Sequence, residues 1–248
     1  MKQSPISRLV NVTKNYGDNA ALEGVSVDIF PGEIVGIVGE MGSGKTTLTS
    51  ILCGNQSPDS GEVWVANRPV QFASPSDAIL CGVRLLPQQI ELYPSLSILE
   101  NIFLGQELTR KLGFPRLMDW KQMEVAARAL LARVAVDSID PNGNVSHLSG
   151  GQQKAVILAR LLAGKAKVLV FDEPMKSLGG PQQTSLLNIF KIEAASGRSI
   201  IFVSHDLEDV FSVCSRIILL REGRIIQDVP IGSADQKSLS KELGIRQS

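Results

Sequence analysis

EIVGIVGEMGSGKT, residues 33–46, decides the fold. Glu33-Ile34-Val35-Gly36-Ile37-Val38 is a nearly continuous apolar run, the pattern of a strand buried on both faces of a parallel sheet. Gly39-Glu40-Met41-Gly42-Ser43-Gly44-Lys45-Thr46 then fits G-x-x-x-x-G-K-[ST] and opens a helix. The chemistry needs that order. Glycines let successive backbone N–H groups curl around phosphate oxygens, and the helix N-terminus adds positive potential. Lys45 can then reach the β- and γ-phosphates, and the Thr46 hydroxyl can bind Mg²⁺. Glu40, Met41, Ser43 and Thr47 complete the stretch expected to touch the nucleotide.

The flanks agree with this reading. Upstream, Val25, Val27 and Ile29 alternate with Ser26, Asp28 and Phe30, the period of a half-buried strand, and the first 35 residues read as short strands. Downstream, Ser57 to Gly61 reads as a loop, Glu62 to Val65 as a strand and Val83 to Leu86 as a buried strand. Between them Ser74 caps a helix with Pro75 at its first position. From about Ser97 to Val136 the pattern turns helical. Trp120, Met123, Ala127, Leu130, Leu131 and Val134 fall on one face, with Asp119 as N-cap. Alternation then resumes, with helices over 150–163, 181–194 and up to about 213, and strands over 168–171, 199–203 and 217–220. Residues 224–229 return as a hairpin with the last of these. This predicts an α/β fold: a P-loop NTPase core with a mostly parallel sheet, an N-terminal antiparallel β subdomain and an inserted helical subdomain over about 97–163. All of it reads as one domain, 1–248.

Composition narrows the partners. Lys plus Arg (25) cancels Asp plus Glu (25), so charge makes no case for nucleic acid or an anionic membrane surface. Cys53, Cys81 and Cys214 are odd in number and widely spaced, which argues for free thiols in a reducing compartment. The longest apolar stretches are strand-sized, far below the roughly 18 residues of a spanning helix. MKQSPISRLV has no apolar h-region, so a cytoplasmic chain is expected.

Two further stretches carry chemistry. Leu148-Ser149-Gly150-Gly151-Gln152 opens an apolar helix, which makes a second anion-binding helix end. Val168-Leu169-Val170-Phe171 ends in the adjacent acids Asp172 and Glu173, followed by Pro174. LSGGQ followed about twenty residues later by VLVFDEP resembles the ATP-binding subunit of an ATP-binding-cassette (ABC) transporter, over nearly the whole chain. The resemblance implies that Ser149, Gly150, Gly151 and Gln152 complete the ATP site of a second, head-to-tail cassette. It implies that Tyr16 stacks on adenine, that Gln88 senses Mg²⁺ and the membrane partner, and that Asp172 binds the metal. Glu173 would then be the general base for water, and His205 the switch histidine that stabilises the γ-phosphate end.

Leu92 to Gly105, followed by Asp119-Trp120-Lys121, is similar to monosaccharide importers of the ribose type, which usually carry two fused cassettes. What the resemblance implies is an ATPase on the cytoplasmic face of the membrane, using ATP and Mg²⁺. It would power import of a small solute, a sugar, through a separate transmembrane permease fed by an extracytoplasmic solute-binding protein. Leu92, Tyr93, Leu96, Ile98 and Phe103 are expected at the permease contact, with a core placement weighed equally for Ile98 and Phe103. A soluble ABC ATPase of repair or translation and a non-hydrolysing nucleotide-gated module stand as alternatives. The second gains interest from Gly179, which stands where the family usually carries an aspartate that contacts the opposite subunit.

Overall fold

The computed structural model describes residues 4–86, 91–110, 117–134, 136, 138–177 and 180–243. They form two compact units, one of residues 1–88 with 166–248 and one of residues 89–165. The chain opens with two long antiparallel strands, β1 (Ser7–Tyr16) and β2 (Asn19–Ile29). The buried strand β3 (Ile34–Val38) and helix α1 (Lys45–Leu52) follow, with the phosphate-loop motif between them. β4 (Ser60–Val65) and β5 (Arg68–Val70) complete a four-stranded antiparallel sheet in the order β2-β1-β4-β5. β4 thus begins two residues before the strand expected at Glu62, because Ser60 pairs with Thr13 of β1. Helix α2 (Pro75–Cys81) starts in a capping box of Ser74 with Asp77, and β6 (Val83–Leu86) ends the first pass.

The second unit is mainly helical. It contains α3 (Ile98–Phe103), a two-stranded ladder of β7 (Thr109–Arg110) with β8 (Leu117–Met118), α4 (Trp120–Arg133) and α5 (Gly150–Leu162). Asp119 caps α4, and Met123, Ala127, Leu130 and Leu131 are its buried side. Trp120 is not on that side. It stands at the first position of α4 with 48% of its surface exposed, one turn before the apolar stripe begins. α3 and α4 both pack against α5. Arg160 of α5 is tied into this packing: its guanidinium donates to the carbonyl of Asn101 (2.5 Å), to Asn101 Oδ1 (2.9 Å) and to the carbonyl of Glu91 (3.3 Å).

The chain returns to the first unit with β9 (Val168–Asp172), α6 (Gly180–Ala195), β10 (Ser199–Val203), α7 (Leu207–Val213), β11 (Arg216–Arg221), β12 (Arg224–Pro230) and α8 (Gln236–Glu242). The six-stranded sheet has the order β12-β11-β3-β10-β9-β6, parallel throughout except for the antiparallel edge strand β12. Its inner strands β3, β9 and β10 are apolar because both faces are covered, and β3 and β10 are buried at every position. Phe171 and Phe202 pack on Phe190 of α6, with ring centroids 4.4 and 5.4 Å apart. Each buried ring contributes roughly 1.5–3 kcal/mol. Gly36 has no side chain because α7 lies against it: a Cβ there would come within 2.5 Å of Val210 Cγ1.

Candidate functional site

The sheet order builds the site. β9, β10 and β3 are neighbours and run parallel, so the loops that leave their C-terminal ends emerge on one edge of the sheet. Val203 of β10 pairs with Ile37 on one side and Asp172 on the other, so the three strands end nearly level. That edge, at a crevice between strands, is where open parallel sheets bind ligands.

The loop after β3 is shaped for phosphate. Gly44 stands at the N-cap of α1 with φ 104°, a left-handed backbone that a side chain strains. A Cβ at Gly39 would sit 2.3 Å from the carbonyl oxygen of Leu220, and one at Gly44 2.4 Å from that of Ala21. The loop can close this tightly only with glycine. Lys45 is buried at 8% exposure, and its Nζ donates to the carbonyls of Gly39 and Glu40, each at 2.7 Å, and more weakly to Ser43 Oγ at 3.4 Å. The ammonium is therefore held inside the curve of the loop. Thr46 is exposed at the mouth, Thr47 is half-buried, and Met41 is wholly exposed.

At the end of β9, Glu173 adopts φ 48°, rare for a residue with a side chain, and its N–H donates to the carbonyl of Val203 at 3.0 Å. After β10, the buried Ser204 accepts from Asp206 N–H at 3.0 Å and turns the chain so that His205 projects. His205 Nδ1 lies 3.5 Å from Glu173 Oε2, with the histidine side chain 61% and the glutamate 18% exposed. A cavity of about 360 Å³ is walled by Gly39 to Gly42, Lys45, Thr46, Glu173, His205 and Leu243. Leu243, just past α8, carries no motif that sequence could have flagged. Asp172 is partly buried one residue away, and its charge adds to the burial that pushes the Cys53 thiol far up. Among the described residues no group of three His, Cys, Asp or Glu could by itself hold a metal. One carboxylate and one hydroxyl still fit Mg²⁺, which takes few protein ligands beside phosphate oxygens and water.

A larger cleft, about 870 Å³, opens between residues 56–63 and 69–73. Its acids are already engaged: Asp59 pairs with Lys14 at 2.8 Å, and Glu62 accepts from the Trp64 indole at 2.7 Å. Nothing in it resembles a phosphate cradle, so the smaller cavity is the candidate.

Tyr16, at the end of β1, is 47% exposed and its hydroxyl donates to Gln56 Oε1. In the helical unit, Ser149 caps α5 in a capping box with Gln152 at an exposed helix end. Its N–H donates to Gln152 Oε1 at 2.9 Å, and its Oγ accepts from Gln152 N–H at 3.4 Å. Gly150 and Gly151 are exposed beside it. Of the two placements weighed for Ile98 and Phe103, the core one holds: both are 1% exposed, because α3 turns them onto its neighbours. Tyr93 is 51% exposed, with the Arg160 guanidinium 5.8 Å from its ring centre. Gln88, Leu178 and Gly179 lie outside the described residues.

A profile described as "ABC transporter" matches residues 22–176. The chain belongs to the ABC transporter family. A ribose import ATP-binding protein of Streptomyces avermitilis is 35% identical over 97% of this chain and 47% of its own length. One from Rhodococcus jostii is 38% identical over 90% of this chain and 43% of its own. The chain thus spans about half the length of the curated relatives it matches. Among solved structures, an ATP-binding cassette of an ABC transporter in its ADP conformation superposes with TM-score 0.81 at 25% identity, over 98% of this chain and 99% of that one. A dimeric cassette in a post-hydrolysis state, bound to ADP and Pi, gives TM-score 0.75 at 27% identity, over 91% and 98%. These neighbours share the ABC cassette fold, with its α/β P-loop core. Among the described residues no helix is long and apolar enough to cross a membrane.

Proposed function

We propose that this ABC family chain is an ATP-hydrolysing cassette that powers import of a small solute, a sugar of the ribose kind, through a separate membrane permease. The observation that supports this most is the convergence of a phosphate loop, an acid and a histidine on one cavity at the level ends of three parallel strands. The loop amides from Gly39 to Gly44 and the Lys45 ammonium would hold the β- and γ-phosphates, and Tyr16 would face the base. Thr46, Asp172 and Gln88 would hold Mg²⁺, which when bound neutralises phosphate charge. Glu173 would accept the proton of the attacking water, and His205, 3.5 Å away, would orient the pair against the terminal phosphate. The exposed Ser149 end of α5 in a second cassette would close the site. The relatives' names support a sugar as the cargo, and a solute-binding protein would deliver it to the permease from outside.

Two substitutions separate binding from chemistry. Lys45→Ala is expected to weaken ATP binding and abolish turnover, because it removes a charge on phosphate. Glu173→Gln is expected to keep ATP affinity within about threefold while turnover falls by a factor of at least ~100, since it removes the base alone. Mg²⁺-dependent phosphate release and ATP titration read both. Parent-like turnover in Glu173→Gln would refute the assignment of the base.

A further inference from the structure

The cavity at the phosphate loop has one wall that no motif supplies. Leu243 is the C-cap of α8 and stays 8% exposed while lining the same space as Lys45, Glu173 and His205. α8 is fastened in place. Leu239 is fully buried, the helix packs on α7, and Gln227 Nε2 of β12 donates to Glu242 Oε1 at 2.9 Å. Asp235 caps its start by accepting from Lys237 and Ser238 N–H. α7, in turn, begins directly after His205, with Asp206 as its N-cap. α8 therefore braces the helix that follows the histidine and delivers an apolar group to the space that the histidine and Glu173 share.

We propose that Leu243 is a positioning residue for hydrolysis: it closes one side of the phosphate cavity, so that the attacking water is ordered by Glu173 and His205 and not by bulk solvent. This rests on the reading that the cavity takes a nucleoside triphosphate. A leucine side chain offers no hydrogen bond, so a water against it has few competing orientations. His205 and Thr46 leave the other side open, and once nucleotide and a second cassette cover it, polar groups facing the space would act on developing charge more strongly than they do in solvent. The grip on the nucleotide is separate, since Lys45 and the loop amides supply it. Loss of the wall should therefore lower turnover and spare affinity.

Kinetics and labelling test this together. Leu243→Ala is expected to lower kcat roughly tenfold with KM for ATP within about twofold, whereas Leu243→Met, which keeps the wall apolar, stays within about twofold of the parent. For labelling, Cys81→Ser removes the exposed thiol, and the buried Cys53 and Cys214 are held protonated by burial. In that background the Leu243→Cys thiol should react with a maleimide. A non-hydrolysable ATP analogue with Mg²⁺ should slow the reaction roughly fivefold, and ADP should slow it less. Parent-like kcat in Leu243→Ala overturns the proposal. So does an equal loss in Leu243→Met, which would mark a folding role, and so does labelling indifferent to a bound triphosphate. If equilibrium dialysis finds no ATP binding to the parent chain, the nucleotide reading itself has failed and this inference falls with it. ATP binding without protection sinks this inference alone.

Discussion

Gly39, Gly42 and Gly44 occupy one short loop for different physical reasons. At Gly39 and Gly44 a methyl group would collide with the carbonyl oxygens of Leu220 and Ala21, whereas at Gly42 (φ 80°) there is open space and only the backbone angle is at stake. Gly39→Ala and Gly44→Ala are therefore expected to cost about 1–3 kcal/mol of stability. Gly42→Ala should cost about 1 kcal/mol. Urea midpoints compare them, and equal midpoints for all three would mean the loop relaxes freely. Asp209 contributes one pH dependence near the site. Burial, then the charges of Asp206 and Glu208, raise its pKa, and His205 opposes them. A carboxyl raised on folding contributes stability that is present below its unfolded value, 3.8, and is lost as pH rises through its higher folded value. Asp209→Asn should remove that loss: its stability profile should be flatter above pH 3.8, and it should be more stable than the parent at pH 7. An unchanged slope between the two proteins would show that the acidic cluster is relieved by solvent.

Each helix of the second unit begins at a side-chain cap, and one of those caps has a second proposed duty. Ser149 satisfies the first turn of α5, and Asp at that position would cap equally well but place a negative charge where the proposed function puts a phosphate. Ser149→Ala should lose about 1 kcal/mol of stability and keep part of its turnover. Ser149→Asp should keep its stability and lose turnover, and parent-like ATPase in Ser149→Asp would leave Ser149 as a cap alone. Deeper in the same unit, Asn101 is fully buried. Its Oδ1 accepts from Tyr93 N–H and Arg160, while its Nδ2 donates to the carbonyls of Tyr93, Leu96 and Ser97. Asn101→Ala should destabilise by about 2–4 kcal/mol, because it leaves a buried guanidinium short of an acceptor; a loss below ~1 kcal/mol would contradict that accounting. The parallel core was legible in the sequence because Ile34 to Val38, Val168 to Phe171 and Ser199 to Val203 are apolar runs bounded by glycine, acid or helix caps. β1 and β2 were read as short pieces because their ladder shifts register between Leu9 and Val12 and again near Lys14, which breaks the alternation. α8 was illegible for a simpler reason. Leu239 is its one buried residue, too few to show a helical period. Leu243 shares that obscurity: it stands one turn after Leu239, and a single i, i+4 pair in a polar segment is too short to mark a helix face.

At the scale of the whole molecule, the phosphate loop belongs to one compact unit and the Ser149 end of α5 to the other, and the proposed site joins the first unit of one cassette to the second unit of its partner. Such a split site can be tested by complementation. A pair formed from Lys45→Ala and Ser149→Asp chains holds one composite site with both groups intact and one with neither. Random pairing puts about half the chains in mixed pairs, so independent sites would restore about one quarter of parent turnover. If the two sites must fire together, the mixture should stay near zero. Gly179 decides between these outcomes, since it stands where the resemblance puts a carboxylate reaching across the pair. In the proposed function Asp172 and Glu173 would supply metal binding and base chemistry from within one chain, so the missing group should weaken only the communication between sites. The mixture is therefore expected near one quarter, falling towards zero, with a higher Hill coefficient for ATP, once both chains also carry Gly179→Asp. Recovery unaffected by Gly179→Asp would remove that position from communication between the sites. Parent turnover per chain that stays constant on dilution, with no recovery in the mixture, would mean that the site is completed within a single chain.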